Sequence, residues 1–428
     1  MDSVLQDLKY SARVLRRAPG FTVVAALTLA LGIGANASIF SLVNGLVLRA
    51  PGGVHEPDRL VQIARSYESA PRWDNFSWPA MKFIGESART LSGVAGYQNQ
   101  PFVLGRGVET ERVLGQIVTG NYFDLLGVTP HVGRLLQPAD DVEPGAHAVV
   151  VLSHALWTRR YGADRSIVGS MIQIGAQPYE VVGVTPEDFA GIRSIGLQPG
   201  LFVPTMMRTV NRGGAVFESW GNSWINVVGR LNHDVTFEEA RASMQVVSMR
   251  LREASATNGD IVVLLAEGVG LDPGGREQAE QISFILLLIV GLVLLLTCTN
   301  VANLSLSRAT SRRAEMGVRM ALGAGRPRLI RHLVTESSLL ALGATVLAIP
   351  IVFLAGDFLP LVFPLDLSVS LDADGRVYVF LVGIGLLAGL LFGAAPAWTA
   401  SRRDALDVLR EGASTGPRSK TRLRDVLL

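Results

Sequence analysis

Four long stretches of the chain are apolar and almost free of charge. Apart from Arg49 at the end of the first stretch, Glu336 is the only charged residue in any of them. Each stretch is at least as long as the roughly 20 residues that a helix needs to cross a bilayer. The pattern therefore predicts four transmembrane helices, at residues 20–49, 281–307, 333–356 and 377–400.

Arginines around these stretches indicate which side of the membrane each end faces. Residues 308–332 contain seven arginines and one acid, Glu315, and the tail at 401–428 is also rich in arginine. Because basic loops stay in the cytoplasm, we predict a multi-pass protein of the cell inner (plasma) membrane with both termini inside and a short outer loop at 357–376. Residues 1–19 combine apolar and basic side chains at helical spacing, which favours an amphipathic helix on the inner membrane face over a solvated basic helix.

Two asparagines, Asn36 and Asn44, lie inside the first apolar stretch. A polar side chain is costly in lipid, so we expect both to face protein. Small residues lie close by, and small residues allow two helices to approach closely. The candidates for such helix contacts, including contacts between two copies of the chain, are Gly32, Gly34 and Ala35 in the first helix and Gly291 in the second.

Residues 50–280 are rich in charge and contain no stretch that is apolar enough to cross a membrane. One segment, 236–254, has the three-to-four-residue apolar spacing of a helix, and Thr236 and Glu239 at its start have the spacing of a capping box. We predict an α+β extracytoplasmic domain between the first two membrane helices, with an inserted lobe at about 119–204. Its strands are expected at residues 59–65, 147–153, 171–185, 225–231 and 260–267.

The composition and motifs exclude several functions. A formal net charge of +2 is too small to predict nucleic-acid binding. The single cysteine, Cys298, cannot form an internal disulfide, and its apolar surroundings favour a packing role. We find no metal-ligand spacing, catalytic triad or G-x-x-x-x-G-K-[ST] loop, so we predict no catalytic, metal or cofactor-binding residue. Trp220 and Trp224 are candidates for a hydrophobic substrate groove, although a place in the packed core is the alternative that we favour.

Several parts of the sequence resemble a known family. The text RATSRRAEMGVRMALGAGRPRLIRHLVTESSLLALGA at 308–344 resembles the FtsX-type permease core, and LTLALGIGANASIFSLVNGLVLR at 27–49 resembles the first helix of MacB-like ABC transporter permeases. Segments 119–136 and 227–247 are similar to the periplasmic core domain of that group. The chain most resembles the acidobacterial-type permeases, which carry two such halves, and it has about the length of one half. A natural half-length permease, one chain of a split pair and a truncated reading frame all remain open.

This resemblance implies a permease subunit that works with a separate ABC ATPase subunit. ATP hydrolysis by the partner would move the extracytoplasmic domain and so drive export or efflux, a process called mechanotransmission. Residues 308–332 would form the cytoplasmic coupling loop, although its arginines would also suit a role limited to topology and lipid phosphates. The residues expected to dock on the ATPase are Arg312, Arg313, Glu315, Met316, Val318, Arg319 and Met320.

The resemblance also implies two permease units in the lipid bilayer. We therefore expect a homodimer, or a heterodimer with a second permease half, and a periplasmic adaptor as a further partner. A second hypothesis is a regulatory or signalling membrane protein, whose outer domain controls a periplasmic hydrolase or senses a peptide without transport. A membrane-anchored enzyme is disfavoured, because the sequence contains no catalytic constellation.

Overall fold

The chain folds into two compact units. One unit contains the long apolar helices, and the other contains the strands. The strand-containing unit lies in sequence between the first and second long helices. The structure, a computed structural model, describes residues 11–45, 51–69, 72–107, 110–192, 198–208, 216–254, 259–270, 273–311, 326–362 and 374–401.

The regular elements of the described residues are four long helices, several shorter ones, and strands of very different lengths. The helices are α1 (Pro19–Val43), α2 (Trp78–Ser87), α3 (Tyr122–Leu126), α4 (His154–Tyr161), α5 (Phe237–Ala254), α6 (Pro273–Ser311), α7 (Arg326–Val362) and α8 (Gly375–Ser401). The strands are β1 (Leu60–Tyr67), β2 (Phe76–Ser77), β3 (Leu91–Leu104), β4 (Glu111–Val118), β5 (Val132–Gly133), β6 (Val149–Leu152), β7 (Met171–Ile174), β8 (Gln177–Val184), β9 (Leu201–Pro204), β10 (Ser223–Leu231) and β11 (Ile261–Glu267).

The four long helices α1, α6, α7 and α8 are apolar enough to cross a membrane. Their outward-facing side chains are large and apolar, as shown by Leu31, Phe284 and Val379, which are 62%, 68% and 74% exposed. Water-soluble proteins rarely expose so much contiguous apolar surface, so these side chains suit a lipid surrounding. The predicted fold class, four transmembrane helices with an α+β domain between the first two, is confirmed. The candidate spans are Pro19–Val43, Gly275–Ser307, Val334–Ala355 and Gly375–Gly393.

A short helical segment at residues 11–16 precedes α1. Its Leu15 side chain is buried against the long helices. The amphipathic helix at residues 1–19 stays a prediction. The Thr22 hydroxyl donates a hydrogen bond to the Leu15 carbonyl at 2.8 Å, which ties the segment to the start of α1. The rest of the predicted amphipathic helix, residues 1–10, lies outside the described residues.

The strand-containing unit, which we call the outer unit or outer domain, is built on one mixed sheet. The strand order is β11-β1-β10-β3-β4-β9-β6-β8-β5, with β2 beside β10 and β7 beside β3 and β8. Neighbouring strands are antiparallel except for the pairs β4–β9 and β6–β8. The segment predicted as an inserted lobe, 119–204, belongs to the same sheet. Its last strand, β9, forms backbone hydrogen bonds with β4, the strand just before the segment.

Helices α2 and α5 share a core with the strands at one end of this sheet. Ile84 of α2 and Met244 and Leu251 of α5 are fully buried in the same cluster as residues of β1, β10 and β11. The predicted capping box of α5 is present. The Thr236 amide donates to a Glu239 carboxylate oxygen at 2.9 Å, and the Glu239 amide donates to the Thr236 hydroxyl at 3.3 Å.

The close approach of β5 to β8 requires a glycine at position 183. A Cβ atom on Gly183 would lie 2.8 Å from both Arg134 N and Val132 O and would overlap Arg134 O. Backbone atoms cannot move aside, so Gly183→Ala should destabilise the protein by about 1–3 kcal/mol, the usual cost of overpacking. Gly85→Ala is the matched control. Its Cβ would meet only Val94 Cβ, at 3.7 Å, and alanine stabilises a helix by about 0.5–1 kcal/mol relative to glycine.

Chemical unfolding of both variants in detergent, followed by tryptophan fluorescence, should show opposite shifts of the midpoint. A Gly183→Ala variant as stable as the parent would contradict the strand register described here.

Candidate functional site

Helix α1 lies at the centre of the helical unit. Small residues along it let two neighbouring helices, α6 and α7, approach closely. A Cβ atom on Gly32 would lie 3.1 Å from the Thr297 hydroxyl of α6. A Cβ atom on Gly34 would lie 2.8 Å from Cγ2 of Ile351 in α7. Small residues at close crossings are the usual way in which membrane helices pack, since lipid offers no hydrophobic driving force between them.

A buried asparagine joins α1 to α6. Asn36 is 2% exposed, and its side-chain amide donates to the Val290 carbonyl of α6 at 2.8 Å and to the Gly32 carbonyl of its own helix at 2.9 Å. A hydrogen bond across two helices in a membrane stabilises their association by about 1 kcal/mol. The expectation that Asn36 faces protein is confirmed, and the bond links the two helices that flank the outer domain in sequence.

The end of α1 contacts the start of α8. The rings of Phe40 and Phe380 are stacked, with centroids 4.0 Å apart. The Asn44 side-chain amide donates to Asp374 at 2.9 Å. Asp374 also caps α8, because it accepts from the amide of Val377 at 3.1 Å. Asn44 is buried, as expected from the sequence. Its hydrogen bond to Asp374 links the end of α1 to the start of α8.

The first and last strands of the outer unit, β1 and β11, are neighbours in the sheet, and we call them the strand pair. Residues Gln62 to Tyr67 pair in antiparallel register with Ala266 to Ile261. The Gly268 amide, just after β11, donates to the Leu60 carbonyl at 3.0 Å. The two ends of the unit that continue in sequence toward α1 and α6 are therefore held together by one hydrogen-bonded ladder.

The predicted ATPase-docking residues, Arg312 to Met320, lie outside the described residues. Of the four predicted helix-contact residues, Gly32 and Gly34 have their neighbours within the same chain. Ala35 is half-buried. A Cβ atom on Gly291 would have open space around it, so contact between copies through Gly291 stays a prediction.

The two candidate groove tryptophans are packing residues to different degrees. Trp224 is buried, its ring is stacked with that of Trp78 at 6.4 Å, and the Arg208 guanidinium lies 3.9 Å from its centroid. The burial of Trp224 agrees with the packed-core alternative that the sequence favours, and a substrate groove at Trp220 and Trp224 stays an untested prediction. Trp220 is half-buried and packs against the same cluster.

Buried acids in the outer unit fix loops rather than forming a reactive centre. Burial raises the pKa of Asp141 to about 6, although the amides of Met206 and Gly120 donate to its carboxylate at 2.7 and 3.1 Å. Burial also acts on Asp140, but two bonds from the Arg134 guanidinium, at 2.6 and 2.9 Å, hold its pKa below the ordinary value. No group of three or more potential metal ligands occurs among the residues that the structure describes.

These features define a multi-pass membrane protein with a large α/β domain between its first two helices. The family model for the MacB-like periplasmic core domain matches residues 22–247. The family model for the FtsX-like permease C-terminal region matches residues 287–405. The chain therefore belongs to the MacB/FtsX-type permease family.

The chain also matches individual curated proteins. The chain is 27% identical over 293 residues to the macrolide export ATP-binding/permease protein MacB of Escherichia coli (strain K12), a match that covers 68% of this chain and 42% of that protein. The chain thus spans less than half the length of this curated relative.

Two solved structures are also similar to the chain. The periplasmic region of MacB from Actinobacillus actinomycetemcomitans has a TM-score of 0.37 at 16% identity and covers 54% of this chain and 94% of that one. The extracellular domain of the noncanonic ABC-type transporter YknZ from Gram-positive bacteria has a TM-score of 0.36 at 16% identity, with 48% and 99% covered.

The central position of α1 predicts a difference between two glycine substitutions. Gly34→Leu should lower the stability of the protein in detergent by about 1–3 kcal/mol, because its Cβ would overlap the branched carbons of Ile351. Gly291→Leu is the matched control and should leave stability close to that of the parent, because its Cβ meets no atom within 4 Å. Thermal unfolding in the same detergent measures both, and equal stability of the two variants would rule out the described packing of α1 on α7.

Proposed function

We propose that this chain is the permease subunit of an ABC transporter in which a partner ATPase drives movements of the extracytoplasmic domain for export or efflux. The observation that carries the proposal, beyond family membership, is the strand pair. A force that reaches the outer domain through α1 or α6 acts on β1 or β11, which are hydrogen-bonded to each other. The domain would therefore respond to such a force as a whole.

The length of α6 supports transmission across the membrane. This helix runs without interruption from Pro273 to Ser311, which is 39 residues. At a rise of 1.5 Å per residue, it is about 58 Å long, well beyond the roughly 30 Å hydrocarbon core of a bilayer. A continuous helix of this length carries a tilt from one side of the membrane to the other, provided that a two-state element exists to bias it.

The ATPase is proposed as a separate subunit. The name of the Escherichia coli relative combines ATP binding with a permease, and this chain matches 42% of that protein. The 428 residues of this chain contain no phosphate-binding loop. The basic segment at 308–332 is the proposed docking surface, with Arg312, Arg313 and Arg319 pairing with acids of the ATPase.

The remaining partners follow from the same proposal. Two permease units, from a homodimer or from a second permease half, would complete the transporter in the cell inner membrane. Both termini would lie in the cytoplasm, because the arginine-rich segments flank the apolar helices on that side. A periplasmic adaptor would receive the exported molecule, and hydrophobic drugs such as the macrolides in the relative's name are one substrate class to test.

The proposal predicts that charge reversal of the coupling loop removes the ATPase. The tagged chain is purified from its native membrane, with and without the triple change of Arg312, Arg313 and Arg319 to Glu. The parent should retain an ABC ATPase. The amount of ATPase recovered with the variant should be lower by about tenfold or more, because three charge-assisted contacts become repulsive. The matched control changes Arg106, Arg112 and Arg165, three exposed arginines of the outer unit, to Glu and should retain the ATPase.

The other outcomes separate the remaining hypotheses. Retention of the ATPase by the loop variant would place the docking surface elsewhere on the permease. Recovery of a periplasmic hydrolase or a sensor kinase, with no ATPase in any sample, would contradict the permease proposal and favour the regulatory hypothesis.

A further inference from the structure

The segment that precedes β1 is packed closely against the outer domain. We call residues 51–59 the strap. A Cβ atom on Gly52 would lie 3.3 Å from Asp188 Cβ and would overlap the Asp188 carbonyl. Gly53 has a φ of +69°, and its Cβ would lie 3.1 Å from Phe189 Cβ. The two glycines thus allow close approach to a neighbouring loop, which a freely moving linker would not need.

The middle of the strap is held from a second side. The His55 amide donates to the Leu126 carbonyl at the end of α3, at 2.9 Å. Gly127 follows with a φ of +66°, and a Cβ atom there would lie 2.6 Å from His55 Cβ. The backbone of the strap therefore contacts the end of α3 at a position where no larger residue fits.

One arginine side chain joins these parts. Arg230 of β10 donates from Nη2 to the His55 carbonyl at 2.6 Å, from Nη1 to the Glu56 carbonyl at 3.2 Å, and from Nε to the Leu125 carbonyl at 2.7 Å. Its side chain is only 11% exposed. A planar guanidinium can make several such bonds in fixed directions, which a lysine cannot. Because all three acceptors are backbone carbonyls, the contacts fix the course of the chain.

We propose that Arg230 is a positioning residue that clamps the strap to the outer domain, so that displacement of α1 is delivered to the sheet. This inference rests on the proposed function. A flexible linker of nine residues would have a root-mean-square length of about 15–18 Å and could absorb a helix tilt. A strap bound at Arg230, at α3 and at Asp188 cannot extend in this way without breaking those contacts.

The first experiment measures the strap alone, without any ATPase. Hydrogen–deuterium exchange is followed on the full chain in lipid nanodiscs for the parent, Arg230→Met and the control Arg112→Met, which changes an exposed arginine of the same sheet. The His55 amide should exchange about tenfold or more faster in Arg230→Met, while β3 and β10 keep the parent rates. Arg112→Met should match the parent throughout. Unchanged exchange at His55 in Arg230→Met would overturn the inference.

The second experiment adds the partner ATPase and measures the ATP-dependent change in exchange of the outer strands. The parent should show this change, and Arg230→Met should lose most of it at an unaltered rate of ATP hydrolysis. A loose strap with full coupling would overturn the inference, whereas a parent without any ATP-dependent change would contradict the proposed function instead.

If Arg230→Met loosens the whole outer domain, a second variant, Gly127→Ala, decides, because it keeps Arg230 and displaces His55. If the strap amides of Gly127→Ala exchange fast and the ATP-dependent change in the outer strands is lost, the result supports the clamp. If the ATP-dependent change is fully retained, the result overturns it.

Discussion

The pairing of β1 with β11 is the constraint on which the organisation of this protein depends. The outer domain lies in sequence between two membrane helices, so the chain enters it from one helix and leaves it toward the other. Its first and last strands, β1 and β11, are neighbours in one antiparallel ladder, and the Gly268 amide adds a hydrogen bond to the Leu60 carbonyl. The other strands of the sheet are added from β1 outward through β10. Opening this ladder would therefore detach β11, the strand that continues in sequence toward α6, from the sheet, whereas β1 would stay paired with β10.

The helical unit meets a different physical requirement. In lipid, helices associate through close packing and hydrogen bonds rather than through the hydrophobic effect. Helix α1 supplies both, with Gly32 and Gly34 at two crossings and the Asn36 amide bonded to a carbonyl of α6. A polar side chain that would be costly in lipid thus becomes a specific link between the first two membrane helices. This arrangement explains why α1, the candidate span with the largest buried share, carries small and polar residues where it crosses its neighbours.

Much of this architecture could be predicted from the sequence, because its signals are local. Uncharged runs gave the membrane helices, and Thr236 with Glu239 gave the start of α5. Strands β3 and β4 were not predicted. Gly93, Gly96 and Pro101 interrupt the alternating pattern of β3, and one of its pairing partners, β10, is distant in sequence.

The site was harder to predict than the fold. Small residues in α1 indicated close helix contact, but no local pattern tells whether the partner helix belongs to the same chain. The role of Gly52 and Gly53 is visible only in the structure, where they lie beside Asp188 and Phe189. The sequence left a groove and a packed core open for Trp224, because the burial of this ring depends on Trp78 and Arg208, which are remote in sequence.

The most direct test of the proposed function is the distance between the outer domains of two copies in the transporter that we propose. A spin label at residue 142, whose native valine is 64% exposed, reports this distance in nanodiscs that contain the partner ATPase. The account predicts that the distance distribution shifts by several ångströms between the nucleotide-free and ATP-bound states. An unchanged distribution during continuous ATP hydrolysis would contradict the claim that this chain transmits ATP-driven movement to its outer domain.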